Sequence, residues 1–64
     1  MGKINMFQFQ PLQTVTVTAF GLGYLGRICQ CVLRANDRIV YEVDYAAEGE
    51  IKRGEFLADE LEAR

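Results

Sequence analysis

The chain reads as all-β: a small five-stranded antiparallel barrel with a short helical turn before its last strand. Three observations predict this. Residues 14–20 and 38–45 alternate apolar and polar side chains with a period of two, the pattern of strands with one buried face. Turn chemistry falls at short intervals between the runs, at Gly21, Gly23 and Gly26, at Ala35-Asn36-Asp37 and at Ala46-Ala47-Glu48-Gly49. Finally, 64 residues make one domain that buries only about 60% of the surface its unfolded chain exposes. Closing a sheet on itself gives so short a chain a core and hides its strand edges.

The elements follow in order. Residues 1–11 form an N-terminal arm or an extra edge strand, with Phe7 and Phe9 on one side, and residues 12–64 form the barrel. In the run 14–20, Val15 and Val17 point inward and Thr14, Thr16 and Thr18 outward. The glycines that follow supply a wide turn. Segment 24–34 is ambiguous. As a helix it places Leu25, Ile28, Cys29, Val32 and Leu33 on one side; as a strand it is apolar on both faces. The extended form is taken, because it links antiparallel neighbours. Residues 38–45 put Ile39, Tyr41, Val43 and Tyr45 on one face. Residues 50–56 make a fourth strand and residues 57–61 a helical turn leading to a last short strand. The expected core is Val15, Val17, Ile28, Val32, Ile39, Val43, Ile51, Phe56 and Leu61, with Tyr41 or Tyr45 partly covered.

Composition bounds the function classes. Half of the residues are apolar, too many for general disorder and enough to leave hydrophobic surface that favours self-association. No run reaches the roughly 18 apolar residues of a membrane span, and the first residues do not show the charged start, apolar core and cleavage site of a signal peptide; a cytoplasmic protein is expected. The net charge of −2 is unevenly placed: residues 1–41 carry Lys3, Arg27, Arg34 and Arg38 against Asp37, and residues 42–64 carry eight acids against three bases. Cys29 and Cys31 would point the same way on a strand, with Cα atoms about 6.5–7 Å apart, at the limit of disulfide geometry. With no His and no third Cys, they form no metal site by themselves.

One motif competes with the barrel. Gly21-x-Gly23-x-x-Gly26 follows a strand, precedes a helix-compatible segment and lies 18 residues before Asp44. Residues 15–44 thus resemble the first βαβ unit of NAD-dependent dehydrogenases, which implies a pyrophosphate at Gly21 and Gly23 and a ribose on Asp44. The rest of the chain cannot cover a parallel sheet on both faces, so no cofactor is expected. Tyr41-x-Val43-x-Tyr45, the turn at Gly49 and the ending Phe56-Leu57-Ala58-Asp59-Glu60-Leu61-Glu62 are similar to small SH3-like barrel proteins of bacteria and prophages, related in shape to Tudor and KOW modules. That resemblance covers most of residues 12–62 and implies a recognition or assembly role.

The expected function is therefore a non-enzymatic protein-interaction or assembly module, through a protein partner or self-association. Its contact surface is placed at Leu22, Tyr24 and Leu25, an exposed apolar loop of the kind that marks partner sites; the alternative is that Tyr24 and Leu25 fold back to cap the barrel. A second class is nucleic-acid binding by Arg27, Arg34 and Arg38 around one hairpin, with Tyr41 available to stack; the acidic total speaks against it. A third is capture of a peptide or methylated lysine by Phe20, Tyr24, Tyr41, Tyr45 and Phe56 as an aromatic cage. No catalytic constellation is present: the paired carboxylates have no nucleophile or metal ligand beside them.

Overall fold

A computed structural model describes residues 7–64. Five strands, β1 (Thr14–Val17), β2 (Tyr24–Arg34), β3 (Arg38–Ala47), β4 (Glu50–Phe56) and β5 (Leu61–Ala63), form one antiparallel sheet in the order β4-β3-β2-β1-β5. Its only helical pieces, among the described residues, are the 3-10 turns Ala35–Asp37 and Ala58–Glu60. Segment 24–34 is extended and paired antiparallel on both sides. The βαβ unit is thereby excluded: its helix and its parallel strand pair are both replaced by antiparallel neighbours.

Alternation builds the core. Val15 and Val17 of β1, Ile28 of β2, Tyr41 and Val43 of β3, Phe56 of β4 and Leu61 of β5 meet in one buried cluster. Phe56 and Leu61 come from the two outermost strands, so the sheet curls until its edges share that cluster. No backbone ladder joins β4 to β5 among the described residues. The turn Ala58–Glu60 fills the gap instead: Glu60 Oε1 accepts the Leu57 N–H at 2.8 Å, and the Glu60 carbonyl accepts the Thr18 N–H at 2.9 Å. Closure is made by side chains and this turn, because β5 is three residues long and ends before a ladder can form.

Two hairpin tips show the chemistry that the sequence predicts. Asn36 and Asp37 have φ of 65° and 59°, and Glu48 and Gly49 have φ of 56° and 76°. The latter pair sits between the partners Ala47 and Glu50, the geometry of a two-residue primed turn. Glutamate is a poor occupant of that left-handed position. Glu48→Asn is expected to stabilise the fold by about 0.5 kcal/mol, read as a raised chemical-denaturation midpoint with unchanged slope.

Ile51, Val32, the two cysteines and Tyr41 are placed differently from the expectation. Ile51 is 72% exposed: it pairs with Ala46 and lies an odd number of residues from Phe56, so the two face opposite sides. Val32 pairs with Val40, outside the central cluster, because β2 carries a bulge. The ladder runs from Ile28–Val43 to Gln30–Glu42 and leaves Cys29 without a partner. The same bulge turns Cys29 and Cys31 to opposite faces, and both are free thiols. Tyr41 is not partly covered but 1% exposed.

Residues 1–6 of the expected arm lie outside the described residues. The remainder of it forms no strand; it enters the core. Phe9 is 3% exposed and packs edge-on against Tyr41 with ring centroids 5.3 Å apart. The Tyr41 hydroxyl accepts the Gln8 N–H at 2.7 Å and faces the Phe9 N–H at 3.4 Å.

Candidate functional site

Strand parity divides the expected contact residues between two surfaces. Tyr24 faces inward, where it joins Phe20, Tyr45 and Phe56 in a cluster with ring centroids 5.6–6.0 Å apart. Leu25, its neighbour on β2, projects from the opposite, outer face. Leu22 is exposed in the loop and lines neither surface. The single patch of Leu22, Tyr24 and Leu25 is therefore not formed: Tyr24 caps one end of the sheet, and Leu25 is displayed.

The outer face carries a groove of about 580 Å³. Register builds it. Thr16 pairs with Leu25 and Ala46 with Ile51, making an apolar row; one step along, Thr14 pairs with Arg27, Arg27 with Asp44 and Asp44 with Arg53, making a charged row. Leu12 and the bulged Cys29 complete the walls. Leu12, Leu25 and Ile51 are 74%, 53% and 72% exposed, an accumulation that scattered surface leucines do not explain.

Leu12 is held there against its backbone preference. The Gln13 N–H donates to the Gln10 carbonyl, with Pro11 and Leu12 between them and Leu12 at φ 72°. This is the third position of a type II turn, which favours Gly or Asn. The Leu12 N–H donates to the Ile28 carbonyl at 2.8 Å, and the Ile28 N–H to the Gln13 carbonyl at 2.9 Å. These bonds fix the turn beside β2 and set the leucine over the groove.

Across the floor, both Asp44 carboxylate oxygens accept from Arg53, at 2.7 and 3.1 Å. Arg53 holds the Asp44 carboxyl below its usual range, and Asp44 in turn keeps Arg53 charged. A carboxylate depressed in the folded state stabilises above its unfolded pKa and loses that contribution as pH falls through the folded value. Asp44→Asn is accordingly expected to flatten the acid limb of the stability–pH curve, with little change near neutrality beyond loss of an exposed pair. Thermal melts across the carboxylate range read this directly. The thiols carry no activation: burial, and then Asp44, push Cys29 up, and burial raises Cys31, the direction of an unreactive cysteine.

The three arginines are not one cluster. Arg27 lies in the groove, roughly 20 Å along β2 from Arg34. Arg34 is ion-paired to Glu55 and sits opposite Arg38 at the far hairpin tip. Glu42 and Glu55 intervene on the outer face. Tyr41 cannot stack on a base, being buried with its hydroxyl engaged.

The expected aromatic set is likewise split. Phe20, Tyr24, Tyr45 and Phe56 come together, and Tyr41 belongs to the Phe9 side of the core. A pocket of about 280 Å³ beside the four rings is lined by Phe20, Tyr24, Tyr45, Ala47, Glu48 and Lys52. Its rim is already occupied by the chain's own Lys52 ammonium, 3.7 Å from Glu48.

Leu12, Ile51, Ala46 and Asp44 are groove residues that sequence reasoning did not single out as a contact surface. Counting parity from Phe56 would have found Ile51; nothing in the sequence points to Leu12. Among the described residues there is no group of three or more His, Cys, Asp or Glu side chains able to hold a metal, and no helix is long and apolar enough to cross a membrane. Comparison of the chain with protein-family profiles, curated protein sequences and solved structures gives no match.

Proposed function

We propose that this chain is a non-enzymatic protein-interaction or assembly module that docks a partner on the outer face of its sheet. The observation that carries it is the groove walled by Leu12, Leu25 and Ile51, each more than half exposed. Covering such side chains is favourable at about 25 cal/mol per Å² of apolar surface. A leucine kept in a left-handed turn position is a second support, because local strain persists where something other than folding needs the residue.

The nucleic-acid alternative draws less support, since Arg27 is remote from Arg34 and Arg38 and acids lie between them. Cation capture at the aromatic end has a specific observation in its favour, the four-ring cluster, but a ligand would have to displace Lys52 from Glu48.

The test uses a random dodecapeptide display library on the immobilised chain. An enriched peptide is expected to lose about tenfold or more in affinity on Leu25→Asp and on Ile51→Asp, and to bind Tyr24→Ser unchanged. Leu12→Asn is expected to raise stability by about 0.5 kcal/mol while weakening the peptide, a separation that a purely structural leucine would not show. Peptides held equally by wild type and all three outer-face variants would refute the docking face.

A further inference from the structure

We propose that the groove is built for a protein segment that presents one carboxylate flanked by apolar side chains, and that Arg27 is its receptor. This inference rests on the docking reading above and names the chemistry of the partner. Arg27 stands opposite Asp44 on β3, the position in which a cross-strand ion pair would form. It does not form. Both Asp44 oxygens are taken by Arg53, and Arg53 also approaches Glu42 at 3.8 Å. Among the described residues Arg27 is left with no side-chain hydrogen bond or ion pair, in the groove that Leu12 also lines and one step along the strands from the row of Leu25, Ala46 and Ile51.

That placement restricts the occupant. A partner covering Leu12, Leu25 and Ile51 also removes Arg27 from water, and a buried charge without a partner is strongly unfavourable. Among the described residues the groove's one acid, Asp44, is already engaged by Arg53, so the occupant must bring another. A guanidinium presents a planar fork of donors that a single carboxylate fills bidentately. A purely apolar segment would strand the charge, a basic one would repel it, and a polyanion would find one cation among leucines with Asp44 and Glu42 beside it. An Asp or Glu side chain flanked by apolar residues satisfies all the walls at once.

The experiment repeats the dodecapeptide selection on wild type, on Arg27→Glu and on Ile51→Glu, with folding of each checked by circular dichroism. The sequences that need Ile51 are expected to carry Asp or Glu beside apolar residues and to weaken about tenfold or more on Arg27→Glu. Selection on Arg27→Glu is expected to return Lys or Arg in place of the acid. Sequences that need Ile51 but show no acid preference, and bind Arg27→Glu equally, would overturn the role of Arg27 while leaving the docking face standing. Enrichment indifferent to Ile51, or no enrichment on wild type, would overturn both. A chain of twice the monomer mass, returned to monomer by Ile51→Glu, would make a second copy the occupant and overturn the proposal.

Discussion

Phe9→Ala is expected to lower stability by about 3 kcal/mol or more. The ring is buried in the core cluster and packs edge-on against Tyr41, so truncation leaves a cavity bounded by rigid strands. A domain of this size has a total stability of only about 3–10 kcal/mol, so the variant should be largely unfolded near its working temperature. Tyr41→Phe separates packing from hydrogen bonding: it keeps the ring and leaves the Gln8 N–H without its acceptor, for an expected loss of about 1–2 kcal/mol. Urea denaturation of both variants checks this. A Phe9→Ala protein as stable as wild type would mean that residues 7–10 are an appendage and not part of the core.

Gly26→Ala is the second large effect, expected to cost about 1–3 kcal/mol. A Cβ at this position would lie 2.9 Å from Val43 Cγ1, 3.1 Å from the Asp44 carbonyl oxygen and 3.3 Å from Tyr45 Cβ. Val43 is fully buried and Asp44 is held in the ladder, so neither neighbour gives way easily. Here glycine is required by the close approach of β3 and not by a turn. Shortening the neighbour should relieve part of the clash: Gly26→Ala with Val43→Ala is expected to be less destabilising than the two single effects added, by about 0.5 kcal/mol or more. Strict additivity, measured by the same denaturation curves, would show that Gly26 and Val43 are not in contact.

Much of the fold was legible because its signals are local. The alternation of residues 14–20 and 38–45 and the turn chemistry at Asn36-Asp37 and Glu48-Gly49 locate β1, β3 and two hairpin tips before any contact is known, although β1 ends at Val17, three residues short of the expected run. Segment 24–34 resisted for a definable reason. The bulge at Cys29 places the inward residues Ile28 and Cys31 three positions apart, a helical spacing inside a strand. Ile51 and Phe56 cannot both be core residues of one regular strand, because their odd separation puts them on opposite faces.

The site was less legible than the fold. Tyr24 and Leu25 are adjacent in sequence and so belong to opposite faces of a strand, which separates the expected patch into an aromatic cap and an outer groove. Leu12 reaches that groove only through a type II turn whose φ no composition rule assigns to leucine. Arg27 was a candidate for a different ligand. What distinguishes it is not its own identity but that Arg53 has already taken its neighbour's carboxylate, a fact of cross-strand register.

The most direct test of outer-face docking is a nuclear magnetic resonance titration of the isotope-labelled chain with a selected dodecapeptide. The amides of Leu12, Leu25, Arg27, Ala46 and Ile51 should shift together and saturate with one dissociation constant, while those of Phe20, Tyr24 and Tyr45 stay in place. Saturating shifts confined to the aromatic end, with the outer-face amides unmoved, would contradict the account.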